Sequence, residues 1–213
     1  MKLLAIESST DLAQVVLGEG ENFIIKEIIG VREHARNLLR LIDESMMEAG
    51  WLVSDLEGVV FGRGPGSFTG LRVACSLAQG IAYAQDLPVY PVSSLASIVM
   101  AVRQRYPEHG VLALLDARMQ QLYWTFARPE AIETEEFVTD PGHIRVKENN
   151  IIIAGKGFQS YNPFFHASLL KKENVWIEQA PCAVSMIQMV QKSVINPVSV
   201  EQALPVYVRN KVT

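Results

Sequence analysis

Two carboxylates sit where a phosphate-handling enzyme would keep them. Glu7 closes the apolar run Leu3–Ile6, and Asp116 closes the apolar run Val111–Leu115. An acid at a strand end is placed to hold a metal–phosphate complex, which makes both candidates for ligand contact. Between them lies Gly62-Arg63-Gly64-Pro65-Gly66-Ser67-Phe68-Thr69-Gly70-Leu71-Arg72, a glycine-rich stretch joining a buried strand to a helix. Backbone N–H groups at such a junction cradle anions, so the context invites a nucleotide. The residues do not support one. A Walker loop needs lysine and then a hydroxyl after its last glycine, whereas Gly70 is followed by Leu71 and the loop contains no lysine. The dinucleotide fingerprint fails as well. Pro65 and Ser67 displace its spacing, and Asp86, the acid nearest the required distance, ends a helix. What remains is structural. Gly62, Gly64, Gly66 and Gly70 allow close backbone approach, Pro65 stiffens the turn, and Ser67 or Thr69 caps the helix. The stretch reads as a scaffold and docking element.

The other chemistry-bearing residues do not assemble into a constellation. His34, His109, His143 and His166 include no pair at the i,i+4 spacing of helix-borne metal ligands, and neither Cys75 nor Cys182 has a cysteine near it. No metal and no cofactor are expected. Ser8, Ser9 and Ser67 lie outside any Gly-x-Ser-x-Gly elbow and read as turn or cap hydroxyls. Arg63, Arg72 and Arg118 each lie in or after a turn at a strand's end, where they suit a partner's carboxylates or an RNA phosphate equally.

The positioning elements follow from period and punctuation. Leu3–Ile6, Leu12–Leu17 and Phe23–Ile29 are three short strands with tight turns, an antiparallel meander. From His34 to Ala49 the period changes to helical, with Ala35, Leu38, Leu39, Ile42 and Met46 on one face and Gly50 as the stop. Leu56–Phe61 is a buried strand, and Phe68–Gln85 a helix carrying Ala74, Ala78 and Ala82 at intervals of four. Pro88–Val92 reads as a short edge strand, and Ser93 or Ser94 caps a third helix reaching Tyr106. The small side chains of the alanine stripe let another helix approach closely, and Leu71, Cys75 and Ile81 flank it; the alternative is that the same stripe covers the helix's own sheet. On this reading an arginine at Ala78 leaves the fold intact and removes the partner.

A break at Pro107–Gly110 sets the domain boundary, giving an N-terminal subdomain over 1–108 and a smaller one over 109–213. Past the break the pattern recurs. Val111–Leu115, the acid Asp116, a polar turn and Gln121–Phe126 repeat the strand–acid–turn–strand order of residues 3–17. Ile151–Ala154 is a further strand, and Cys182–Ser193 a late helix. The expected class is α/β, with mixed sheets flanked by helices and the second half poorer in helix. With 19 basic and 23 acidic residues the net charge is −4, a balance that does not announce a nucleic-acid coat and does not exclude one local basic patch. The apolar run at Leu3–Ile6 is too short for a signal core, and no window approaches the about 18 apolar residues of a membrane span. The chain reads as soluble and cytoplasmic, with no membrane partner and two buried free thiols.

Four stretches occur in the order seen in the bacterial TsaB family, and the chain resembles that family over nearly its whole length. They are Leu4-Ala5-Ile6-Glu7-Ser8-Ser9-Thr10, Gly64 to Arg72, Val92-Ser93-Ser94-Leu95 and Asp116-Ala117-Arg118; Pro205–Arg209 is similar to the family's ending. Glu7 stands where the family usually has aspartate, which keeps the charge and lengthens the arm. The resemblance implies duplicated actin/Hsp70-like (ribonuclease H-like) subdomains and a non-catalytic role in making threonylcarbamoyladenosine on tRNA. It implies a heterodimer with a TsaD-type catalytic subunit, which moves threonylcarbamoyl to N6 of the adenosine beside the anticodon of tRNAs reading codons that begin with A. It further implies a TsaE-type P-loop ATPase in the larger assembly, self-pairing when the partner is absent, and tRNA contact that is indirect or weak. The helices over 34–49 and 68–85 match the family's dimerisation helices, which places Leu38, Leu39, Ile42, Leu71, Ala74, Cys75 and Ala78 at the interface.

Two other functions compete. An autonomous ATP-binding phosphotransferase or ATPase of this fold would use Glu7, Asp116 and the glycines at 155–157. A peptidase would need a histidine pair, an elbow serine or a Cys–His neighbourhood, and the sequence offers none.

Overall fold

The computed structural model describes residues 1–131 and 135–208, save the side chains of Val31, Arg32 and His34. It forms two compact units. One comprises Met1–Ser94 and Cys182–Val206, the other Leu95–Pro181 with Tyr207 and Val208.

In the first unit, β1 (Lys2–Glu7), β2 (Leu12–Glu19) and β3 (Asn22–Ile29) form the expected antiparallel meander. β4 (Gly58–Gly64) and β5 (Val89–Ser93) then add in parallel beside β1, giving the order β3-β2-β1-β4-β5. β5 is the expected edge strand, and its outer side carries a bridge from Val89 to Val198. Alternation along the strands divides the side chains between two faces. Leu4, Ile6, Val15, Leu17, Val59 and Phe61 form one core with α1 (Val31–Ala49) and α2 (Phe68–Gln85). The opposite face carries α4 (Ala183–Gln191); a methyl at Gly18 would lie 3.0 Å from Ile187 Cδ1. α1 is closed by Gly50 in the left-handed region, φ 66°, whose N–H reaches the carbonyls of Met46 and Met47. α2 starts on Ser67, whose hydroxyl accepts from Gly70 N at 3.3 Å.

The second unit repeats the plan. β6 (Val111–Asp116), β7 (Leu122–Ala127) and β8 (Phe137–Thr139) are antiparallel, and β9 (Ile152–Lys156) and β10 (Val175–Glu178) add in parallel beside β6. The order β8-β7-β6-β9-β10 is that of the first sheet, strand for strand. α3 (Ser94–Arg103) covers one face through Leu95, Ile98, Val99 and Val102. The other face is packed by Ile144, Phe158, Phe165 and Leu169, from segments without an α-helix. Where the first unit runs from β4 into α2, the second runs from β9 into the 3₁₀ segment Gln159–Phe164. This is a duplicated actin/Hsp70-like fold, reduced in its second half.

The compact units part at Ser94, not at residue 108. α3 buries its apolar face on the second sheet and so belongs to that core, while α4 returns to the first. β10 has no sequence signal of its own, because Val175–Glu178 is too short and half-exposed to show a period.

Candidate partner-docking site

The end of β1 is locked into the glycine-rich turn. Glu7 is 1% exposed; its Oε1 accepts from Ser9 N at 2.6 Å and its Oε2 from Ser94 Oγ at 3.2 Å. Burial pushes its carboxyl above the ordinary value, and the hydrogen bonds from Ser9, Ser94 and Ser8 pull the other way without cancelling it. A methyl at Gly62 would stand 1.9 Å from Oε2, so that glycine is the space the longer acid occupies. Ser8 Oγ donates to Gly70 O at 2.8 Å, and Ser67 N donates to Ser9 O at 2.7 Å. Methyls at Gly66 and Gly70 would fall 2.4 Å from Ser9 O and 1.8 Å from Ser8 O. The glycines therefore serve close approach of two backbones. Pro65 follows a cis bond from Gly64 and is buried, while Thr69 is exposed at the helix start. Arg63 is half-buried, and its carbonyl accepts from Val206 N at 2.8 Å.

The alanine stripe faces inward. Leu38, Ile42, Leu71, Ala74, Cys75 and Ala78 are all buried in the first unit's own core, with Ala74 and Ala78 at 0% exposure. The small residues let α2 settle close on its own sheet; of the seven side chains expected at a partner surface, Leu39 alone is exposed. Ala78→Arg is accordingly a folding variant and no test of docking. The same helices carry a different outward pair of rows. Ala35, Leu39, Asp43 and Met47 run along α1, and Phe68, Arg72, Ser76 and Gly80 along α2, all exposed and each spaced by four. Tyr83 extends the second row, and the Arg72 guanidinium lies 3.8 Å from the centre of the Phe68 ring. Two grooves run between the helices, of about 420 Å³ by Ala35, Phe68 and Val73 and about 560 Å³ by Leu39, Met46, Trp51 and Ile81. The signal that could have exposed the outward row is Gly80, a glycine in mid-helix with nothing within 4 Å of its would-be methyl.

In the second unit Asp116 occupies the position of Glu7. Its Oδ1 accepts from Arg118 N at 2.7 Å, the same i to i+2 contact that Glu7 makes with Ser9, and Gly157 lies against it as Gly62 lies against Glu7. Here the acid is only partly buried. Tyr161 donates to Oδ1 at 2.7 Å, and the Arg118 guanidinium stands 3.2 Å from Oδ2. Burial, with the carboxylate beside it, pushes the Tyr161 phenol up to about 12. Arg118, Met119 and Gln120 all hold positive φ at the hairpin tip and are exposed. Asp116 is thus already paired on both oxygens.

Among the described residues no group of three His, Cys, Asp or Glu side chains could hold a metal ion, and no helix is long and apolar enough to cross a membrane. Cys75 is buried, with Sγ 3.1 Å from Ala203 O, and Cys182 is half-buried. The His34 side chain and Arg209 lie outside the described residues.

Comparison with known proteins gives the family. The family model for TsaD, tRNA N6-adenosine threonylcarbamoyltransferase, matches residues 23–149, more than half of the chain. The tRNA threonylcarbamoyladenosine biosynthesis protein TsaB of Haemophilus influenzae is 31% identical over 100% of this chain and 95% of its own length. The Escherichia coli TsaB is 30% identical over 100% of this chain and 96% of its own. A crystal structure described as an uncharacterised protein with similarity to peptidase YeaZ from Pseudomonas aeruginosa superposes with TM-score 0.86 at 30% identity, covering 98% of this chain and 99% of that one. The TsaD model stops short of both ends, including the Glu7–Ser9 lock and α4, whereas the TsaB proteins match throughout. With its reduced second half and its match from end to end, the chain belongs to the TsaB family.

Proposed function

We propose that this chain is the non-catalytic partner of a TsaD-type threonylcarbamoyltransferase in the cytoplasm, and that it presents the outward rows of α1 and α2 to that subunit. Family membership supports the role, and one feature carries the choice of face. Gly80 weakens its own helix by roughly 1 kcal/mol relative to alanine. Its would-be methyl meets nothing within 4 Å among the described residues, so the packing around it gives no reason for the glycine. A close-packed helix from outside supplies the reason. Around it, Leu39 at 60% exposure, Met47 at 75% and Tyr83 at 78% are apolar surfaces for such a helix to cover.

On this reading the transfer chemistry belongs to the partner, and this chain holds that subunit in its competent form. A TsaE-type ATPase joins the assembled pair, tRNA contact stays indirect, and two copies self-pair through the same rows when the partner is absent. The autonomous ATPase reading loses its residues. Glu7 is enclosed by Ser9, Ser94 and Gly62, and Asp116 by Tyr161 and Arg118. A peptidase finds no nucleophile in Ser8 or Ser67, whose hydroxyls serve the backbone.

The test is tRNA threonylcarbamoylation reconstituted with and without this chain, with calorimetry of the isolated chain against ATP and Mg²⁺ alongside. The expected result is loss of transfer on omission and no heat of nucleotide binding. Full transfer without the chain would refute the role.

A further inference from the structure

We infer that Ser8 is a positioning residue for docking: the strand end Ser8–Ser9 grips the first turn of α2 from inside and thereby fixes where Phe68 and Arg72 stand on the outside. The inference rests on the proposal that α2 meets the TsaD-type subunit.

The grip has two points. Ser9 O takes the N–H of Ser67, and Ser8 Oγ donates to Gly70 O, at 2.7 and 2.8 Å. Gly66 and Gly70 let the backbones close to distances that any side chain would forbid. At about 100° per residue, Gly70 lies about 200° round the helix from both Phe68 and Arg72. The gripped residue and the Phe68–Arg72 pair therefore occupy opposite sides of one turn. The stack of Arg72 on Phe68 makes that pair a single presented unit. Moving Gly70 outward or rotating it about the helix axis moves the pair with it.

The duplicated second unit supplies an internal control. Asp116 corresponds to Glu7, so Ala117 corresponds to Ser8. Ala117 is buried like Ser8 but has no hydroxyl, and β9 leads into the 3₁₀ segment Gln159–Phe164 instead of an α-helix that one could grip. The hydroxyl is present where β4 runs into an α-helix and absent where β9 runs into a 3₁₀ segment.

The experiment compares Ser8→Ala with Thr125→Val. Thr125 is likewise buried and donates to a backbone carbonyl, Glu135 O at 2.7 Å, within the second unit. Affinity for the TsaD-type subunit is measured by calorimetry under conditions where each variant is folded, and amide exchange is followed over Gly70–Val73. Ser8→Ala is expected to bind about tenfold more weakly, the scale of one lost buried hydrogen bond. Exchange in the first turn of α2 should be faster, while Thr125→Val matches wild type in both. Wild-type affinity for Ser8→Ala, or an equal loss for Thr125→Val, would overturn the inference. If Ser8→Ala does not fold, Ser8→Cys, a weaker donor, takes its place with the same criteria. If the wild-type chain fails to bind at all, the proposed function falls. The exchange measurement then decides alone, and an unchanged first turn of α2 in Ser8→Ala sinks the grip.

Discussion

At the scale of single residues, Glu7 is governed by enclosure. Its folded pKa stands above the ordinary value of 4.5 because burial penalises the charge. The folded state then holds a proton that the unfolded chain has already released. Glu7's contribution to stability is complete below about 4.5 and is lost as pH rises through the folded value. Glu7→Gln removes that titration while keeping size and most hydrogen bonds. Urea denaturation should find the variant gaining on wild type as pH rises above 4.5, with the difference vanishing in acid; parallel pH profiles would contradict this. The acid also forms a size pair with Gly62, whose would-be methyl falls 1.9 Å from Oε2. Gly62→Ala alone should therefore destabilise by about 1–3 kcal/mol. Adding Glu7→Asp should recover part of that loss, read from a double-mutant cycle. The strand-end position of Glu7 was legible in the sequence from the apolar run that precedes it. Its enclosure was not, since the enclosing groups, Gly62 and Ser94, are brought to it by tertiary pairing.

At the scale of elements, α2 shows why a period can be read while a direction cannot. The alanine stripe and the row Phe68–Arg72–Ser76–Gly80 have the same spacing of four, and only packing decides which one meets the sheet. The sheet takes the alanines because small side chains bring the helix axis close. Ala78→Arg should then fail to fold, with a loss above about 3 kcal/mol seen as early melting in circular dichroism; a folded variant would mean the stripe is accessible after all. Gly80→Ala separates folding from docking in the opposite sense. The isolated chain should gain roughly 1 kcal/mol in thermal or urea unfolding, while its affinity for the TsaD-type subunit falls. Gain in both would remove the case for Gly80 as a contact. The bounds of α2, Phe68–Gln85, followed from sequence because Ser67 caps one end and the apolar period runs out at the other.

At the scale of the molecule, the duplication was visible in one pair of hairpins and extends through the ten strands of the described residues. The division at residue 108 was misled by Pro107–Gly110, a strong local break that lies inside the second unit; the packing of α3 and the return of α4 are long-range facts that no local signal carries. A fragment of residues 1–108 should be insoluble or molten by circular dichroism and exposed-hydrophobe dye binding. It lacks α4 over the sheet face of Leu3, Ala5 and Val60, and it holds α3 without the core that α3 joins. The same division orders events on the ribosome. Residues 95–181 are contiguous and can close around their own sheet while the chain is still growing. The first unit, begun earlier, waits for α4 to be made. The unit that carries the proposed docking rows is thus completed only after residues 182–206 have been made, later than the contiguous stretch 95–181.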